Sequence, residues 1–297
     1  MNKLQIGKMP QLPFEVSEAI NQLRINLSFC GSDVKTIMIT SSTPNEGKSF
    51  VTMQLWRMIA ELGTPAVLID CDFRKSEMRS KYGMSTSGQL IGGVHYLAGK
   101  AELDDVIYET NVPNGYIIPV AKTVTNPTIL LESERFTQMV KHCRQRFGVV
   151  LIDTPPLGSV ADAMNIATHC DGTVLVVRGG ETPRKVVGDS VQQLKRTGVP
   201  LLGVVLDRAE MNSKSSLYYK RYYKSGYYIR DTAARNRSLS RNKYGGNRYE
   251  KEIRSSSRRC GDGSCHERFC FRSQRREGAQ HHRRRHRPCQ RNFCSSV

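Results

Sequence analysis

Three observations predict an α/β fold, a doubly wound and mostly parallel sheet with helices on both faces. Short β-branched and aliphatic runs recur from residue 36 to residue 206. Longer segments of helical periodicity lie between them, most bounded by Gly, Pro, Ser or Thr. The runs are apolar throughout rather than alternating, which is the pattern of strands covered on both faces.

The elements follow in order. Residues 14–29 (FEVSEAINQLRINLSF) place Ile20, Leu23, Leu27 and Phe29 near one side of an amphipathic helix, which should dock on the body. Strands are predicted at 36–40, 66–70, 116–120, 149–153, 173–177 and 201–206, with helices at 48–62, 132–147, 162–168 and 184–197. The implied organisation is an N-terminal segment (1–35), a nucleotide-binding body (36–211), a tyrosine-rich tail (212–237) and a basic extension (238–297).

The 297 residues hold 45 Lys and Arg against 27 Asp and Glu, a net charge of +18, with 38% hydrophobic residues. That length suits one compact domain with appendages. Residues 1–211 carry 22 basic and 21 acidic side chains, whereas residues 212–297 carry 23 and 6. A nearly neutral body thus bears a strongly basic tail, and the overall charge is no argument that the body binds nucleic acid. No run approaches the roughly 18 apolar residues of a membrane span, and the start lacks the order of a signal peptide, so membrane insertion and secretion are not expected. Cys30, Cys71, Cys143 and Cys170 are scattered through the body, which reads as reduced and cytosolic. Cys260, Cys265, Cys270, Cys289 and Cys294 crowd the end without the paired spacing of zinc ligands, so no metal site is assigned there.

After the strand at 36–40 come Ser42, Thr43, Pro44, Asn45, Glu46, Gly47, Lys48 and Ser49, which match G-x-x-x-x-G-K-[ST] with Ser42 at the first glycine. The segment follows a strand and opens a helix, the context in which backbone N–H groups surround phosphates. Lys48 is then expected to reach the β and γ oxygens and Ser49 to bind Mg²⁺. The sheet is accordingly of the P-loop NTPase type. Such a loop needs an acid on a neighbouring strand, and Asp153 ends the apolar run VVLI ahead of Thr154-Pro155-Pro156. Asp70 and Asp72 close another strand, and a side-chain period of two turns both toward one small volume. One of the pair would bind Mg²⁺ through water, and the other would accept a proton from an attacking hydroxyl.

SSTPNEGKS (41–49), VLIDCDFRKS (67–76), VVLIDTPP (149–156) and the tyrosine-rich stretch after Met211 together resemble the bacterial tyrosine kinases of capsule and exopolysaccharide synthesis, over residues 10–230. The resemblance implies a cytoplasmic protein-tyrosine autokinase related to the MinD and ParA ATPases, using ATP and Mg²⁺. It makes the three segments the Walker A, Walker A′ and Walker B motifs. Lys48 and Ser49 would hold phosphate and Mg²⁺, Asp72 and Asp153 would serve the metal, and an A′ aspartate, taken as Asp70, would be the base toward tyrosine. It also implies a membrane-embedded polysaccharide co-polymerase as activator, an opposing tyrosine phosphatase, and a peripheral place at the inner face of the membrane through that partner. In the family the first helix carries E-x-x-R-x-x-R and joins subunits into a ring. Here Glu18 and Arg24 are present, but Asn21 stands at the middle arginine, so ring contacts should be weaker. Asp207 stands where the family often has Asn, which puts an adenine contact there in doubt, and Asn45 stands at a frequent glycine. The competing reading is a MinD/ParA-like ATPase with its basic tail as a nucleic-acid or membrane tether. The second lysine that such ATPases carry early in the loop is absent, with Thr43, Pro44 and Asn45 in its place.

Eight of the 12 tyrosines follow Met211, and Tyr218, Tyr219, Tyr222, Tyr223, Tyr227 and Tyr228 fall within twelve residues. A segment with so few aliphatic residues cannot bury a core, so it should be mobile and able to enter an active site as phosphoacceptor. The bland alternative is a basic-aromatic tail stacking on single-stranded nucleic acid, but that needs no phosphate loop, and no nucleic-acid partner is expected. Beyond Arg237 the chain loses hydrophobic periodicity and reads as a disordered extension or an out-of-frame stretch, and no site is assigned to it.

Overall fold

The computed structural model describes residues 1–209; the tyrosine cluster and the basic extension lie outside the described residues. The elements are β1 (Asn2–Ile6), α1 (Phe14–Ser28), β2 (Thr36–Ser41), α2 (Lys48–Glu61), β3 (Ala66–Asp70), α3 (Met78–Lys81), β4 (Met84–Ser85), α4 (Gly93–Leu97) and α5 (Leu103–Val106). They continue with β5 (Tyr108–Thr110), β6 (Gly115–Ile118), α6 (Thr128–Leu131), α7 (Glu134–Arg146), β7 (Val149–Asp153), α8 (Asp162–Ala167), β8 (Gly172–Arg178), α9 (Arg184–Arg196) and β9 (Leu201–Asp207). The strands form one sheet of order β4-β1-β5-β6-β3-β7-β2-β8-β9, parallel from β6 to β9. Among the described residues antiparallel pairs occur only at β1–β4 and β5–β6.

The apolar runs are explained by two cores, one on each face. Ile37 and Ile39 of β2 join Leu68, Leu151, Val174 and Val176 in a cluster with Ile20 and Leu23 of α1 and Leu55 of α2. Met38, between them, joins Ile69, Val150, Ile152 and Leu175 in a second cluster with Phe136 of α7, Ile166 of α8 and Leu194 of α9. Alternate residues are thus buried on opposite faces, each full burial contributing roughly 1.5–3 kcal/mol. Trp56 fixes α2 on the sheet: its indole donates to Ala66 O at 3.0 Å and is fully buried. A Cβ on Gly115 would lie 2.6 Å from that ring, so only glycine lets β6 pass beneath it.

Several boundaries differ from expectation. The strand expected at 116–120 is Gly115–Ile118, because Pro119 lacks an N–H and turns its carbonyl to the Gly93 N–H at 3.1 Å. The helix expected from 132 starts at Glu134, where the Ser133 hydroxyl accepts the Phe136 N–H at 3.3 Å. Phe29 is not on the buried face of α1; it sits beyond the helix end and is 76% exposed. Within the N-terminal segment, β1 was not expected, since only Leu4 and Ile6 alternate into the core. Asp171, just before β8, accepts from Lys35 N at 3.0 Å, from Thr36 N at 2.8 Å and from the Arg144 guanidinium, joining β2, β8 and α7 at one end. Among the described residues no helix is long and apolar enough to cross a membrane.

Candidate active site

The segment between β2 and α2 curls at two residues with positive φ, Asn45 at 66° and Gly47 at 88°. Asn tolerates that conformation better than most non-glycine residues. Gly47 is required for a second reason, since a Cβ there would lie 2.3 Å from Asp207 Oδ2. Glu46, among the expected cofactor-binding residues, points back into the loop: Oε2 accepts the Thr43 N–H at 2.8 Å and Oε1 meets the Thr182 hydroxyl. It is 2% exposed and braces the loop. Ser41 Oγ donates to Thr43 O at 2.8 Å, and Ser42 Oγ is buried with no partner among the described residues. An orphaned hydroxyl beside curled backbone N–H groups fits an oxyanion such as a phosphate.

Three parallel strands carry the charged groups to one edge of the sheet. Asp70 at the end of β3 and Ile39 of β2 both pair with Asp153 at the end of β7. Lys48 Nζ lies 3.1 Å from Asp72 Oδ2, 3.3 Å from Asp153 Oδ2 and 3.1 Å from Ser49 Oγ. Ser49 donates to Asp153 Oδ2 at 2.6 Å, and Thr52 Oγ1 lies 3.2 Å from Asp153 Oδ1. Burial alone would lower the Lys48 pKa, but Asp153, Asp72 and Asp70 together hold it above the usual value. Asp153 is pushed up, burial outweighing Lys48 and the Ser49 hydroxyl.

Asp70 and Asp72 do not present themselves alike. The strand ends at Asp70, so Asp72 belongs to the following loop, and it is Asp72 that reaches Lys48. Asp70 accepts the Asp72 N–H at 3.2 Å on Oδ1 and the Ser76 hydroxyl on Oδ2. Burial, and then Asp153, raise it to about 7 against the opposing effects of Ser76 and Lys48. A cleft of about 250 Å³ is lined by Asn45, Gly47, Lys48, Ser49, Asp72 and Asp153, and further by Arg74, Lys75, Ser76 and Lys81; Asp70 lies behind this lining.

The expected site residues of the body are therefore gathered at one place, apart from Glu18 and Arg24 on α1, where Arg24 is held by Asn21 Oδ1 at 2.9 Å. Tyr218, Tyr219, Tyr222, Tyr223, Tyr227 and Tyr228 lie outside the described residues. Arg74 was not foreseen. It donates to the buried Asp162 at 2.7 Å and to Thr125 O at 2.7 Å, tying the loop after β3 to α8. Partners that far apart in sequence leave no local signal. Among the described residues no three His, Cys, Asp or Glu are grouped to hold a metal. Ser49, Asp72 and Asp153 nevertheless offer the sparse oxygen set with which Mg²⁺ is held when phosphates supply its other ligands.

A family model described as an AAA domain matches residues 34–183. The chain is 37% identical over 210 residues to the tyrosine-protein kinase CpsD of Streptococcus agalactiae, covering 70% of this chain and 90% of that protein. Its fold is similar to the kinase domain of the Escherichia coli tyrosine kinase ETK, with a TM-score of 0.62 and 29% identity over 69% of this chain and 84% of that one. The septum site-determining protein MinD of Pyrococcus horikoshii, solved with Mg-ADP, matches at a TM-score of 0.51 and 24% identity over 61% of this chain and 72% of that one, a likeness of fold.

Proposed function

The chain belongs to the bacterial tyrosine-protein kinases and is a protein-tyrosine kinase, and from that premise we propose an ATP- and Mg²⁺-dependent autokinase that phosphorylates its own tyrosine tail and so regulates capsular or exopolysaccharide synthesis and export. The observation that carries the reading is the joining of Lys48, Ser49, Asp72 and Asp153 at the end of a phosphate-type loop. The P-loop fold and the relatives' names support ATP as the nucleotide.

The loop N–H groups from Ser42 to Ser49 and the Lys48 ammonium would bind the nucleotide's phosphates, Lys48 exchanging Asp72 and Asp153 for phosphate oxygens. Ser49, Asp72 and Asp153 would hold the Mg²⁺. The bound Mg-nucleotide supplies the transferable phosphoryl group and neutralises charge on it. Asp70, whose burial raises its pKa to about 7 so that its ionised form can take and hold a proton near neutral pH, is the proposed acceptor of the phenolic proton. The acceptors are Tyr218, Tyr219, Tyr222, Tyr223, Tyr227 and Tyr228, delivered between subunits of a homo-oligomer in which Glu18 and Arg24 take part. Residues 212–231 carry five basic side chains and one acid, and six phosphates at −1.5 to −2 each would add roughly −9 to −12, reversing the sign of the tail. Repulsion from Asp70, Asp72 and Asp153 would then release it. A membrane-embedded co-polymerase as activator, a phosphatase as antagonist and a peripheral place at the membrane complete the proposal.

Peptide mass analysis of the protein from its own cells, with and without phosphatase, tests it. Several phosphatase-sensitive additions on 217–228, absent from Lys48→Met, are expected. An unmodified tail under conditions of polymer synthesis would favour the ATPase with a tethering tail instead.

A further inference from the structure

The charge around the cleft is unbalanced. Asp70, Asp72 and Asp153 surround the single ammonium of Lys48. A nucleoside triphosphate adds more negative charge than one divalent cation and one lysine cancel, so a further cation should meet it. Among the described residues, three basic side chains besides Lys48 line the cleft: Arg74, Lys75 and Lys81. Arg74 is committed to Asp162 and Thr125. Lys75 makes no side-chain contact that holds it in place among the described residues, whereas Lys81 at the end of α3 is held over two rings, 5.9 Å from the centroid of Phe50 and 5.8 Å from that of Tyr82. Phe50 follows Ser49 in the first turn of α2, so the ring that holds Lys81 is part of the phosphate-loop helix. Lys81 forms no ion pair among the described residues. Its charge is felt at Asp207, whose carboxylate abuts Gly47.

We propose that Lys81 is a second phosphate-binding cation of this site, reaching the nucleotide's phosphate oxygens from the α3 wall. This rests on the reading of the site as a nucleotide site. The fold thereby supplies from its own α3 a charge that the loop lacks at Thr43, Pro44 and Asn45. The two rings restrict the flexible lysine before any ligand arrives, which lowers the entropy lost on binding.

The test is calorimetric binding of a non-hydrolysable ATP analogue with Mg²⁺ to the full chain at 0.15 M salt. Lys81→Met is expected to weaken binding about tenfold, and Lys81→Arg to stay within about threefold, the size of one charge-assisted contact. Arg79→Met removes the same charge from the same helix outside the cleft lining and is expected to stay within about twofold. Melting without nucleotide checks folding, and Lys81→Gln carries the same expectation should the Met variant not fold. Unaltered affinity of Lys81→Met or Lys81→Gln, or an equal loss in Arg79→Met, overturns the proposal. Failure of the wild-type chain to bind the analogue would instead overturn the nucleotide-site reading beneath it.

Discussion

Lys48 is the point on which the cluster turns, because it is the cation shared by Asp72 and Asp153. Replacing it with Met is expected to cut phosphate incorporation by about 100-fold or more, read by mass or radiolabel, since both phosphate binding and carboxylate pairing are lost. Asp70 permits a prediction with a definite sign. Its folded pKa of about 7 lies above the ordinary 3.8, so the folded state holds a proton that the unfolded chain has released between those values. Its contribution therefore favours folding less as pH rises from about 4 to 7, and the penalty of the buried charge is complete above 7. Asp70→Asn should accordingly raise the melting temperature relative to wild type at pH 8, and the difference should shrink by pH 5. An equal difference at both pH values would contradict the assignment.

At the level of elements, Asp171 shows how one side chain sets the start of two strands. It takes the backbone N–H groups of Lys35 and Thr36 and the guanidinium of Arg144 from α7. Asp171→Ala should cost about 1 kcal/mol in urea unfolding without a change in slope, because the Thr36 N–H is only part-buried and the exposed Lys35 N–H and Arg144 regain water. Such contacts also mark where sequence reasoning stops. The central strands were legible because both faces are covered and their runs are apolar, and residues 42–49 were legible because a phosphate loop is contiguous. The brace from Glu46 to Thr182, the contact of Asp207 with Gly47 and the Arg74–Asp162 pair are tertiary, with partners 136, 160 and 88 positions apart. Strand β1 leaves no clear period in the sequence because two inward residues are too few to establish one, and the apolar run Tyr116–Val120 outlasts its strand because Pro119 is apolar yet cannot donate to a ladder.

For the molecule as a whole, the proposed catalytic cluster (residues 42–153) and the proposed acceptors (residues 218–228) are far apart in sequence, which allows them to be separated genetically. Two variants mixed in one tube distinguish transfer within a chain from transfer between chains. Lys48→Met retains its tyrosines, and a second variant has all six replaced by Phe. Label on the Lys48→Met tail is expected if subunits serve one another, and its absence would confine transfer to single chains. The strand order also has a consequence for biosynthesis. β2 is flanked by β7 and β8, so Ile39 finds its neighbours only at Asp153 and Val174. During translation the first half of the sheet leaves the ribosome with its middle ladder unfilled, and an apolar ribbon waits for partners more than a hundred codons downstream. Pairings this distant are slow to close and expose sticky surface meanwhile, which makes the nascent chain a natural client for holding chaperones. Slowing translation between the codons for Glu61 and Val149 should therefore lower soluble yield, while leaving the finished protein's stability unchanged.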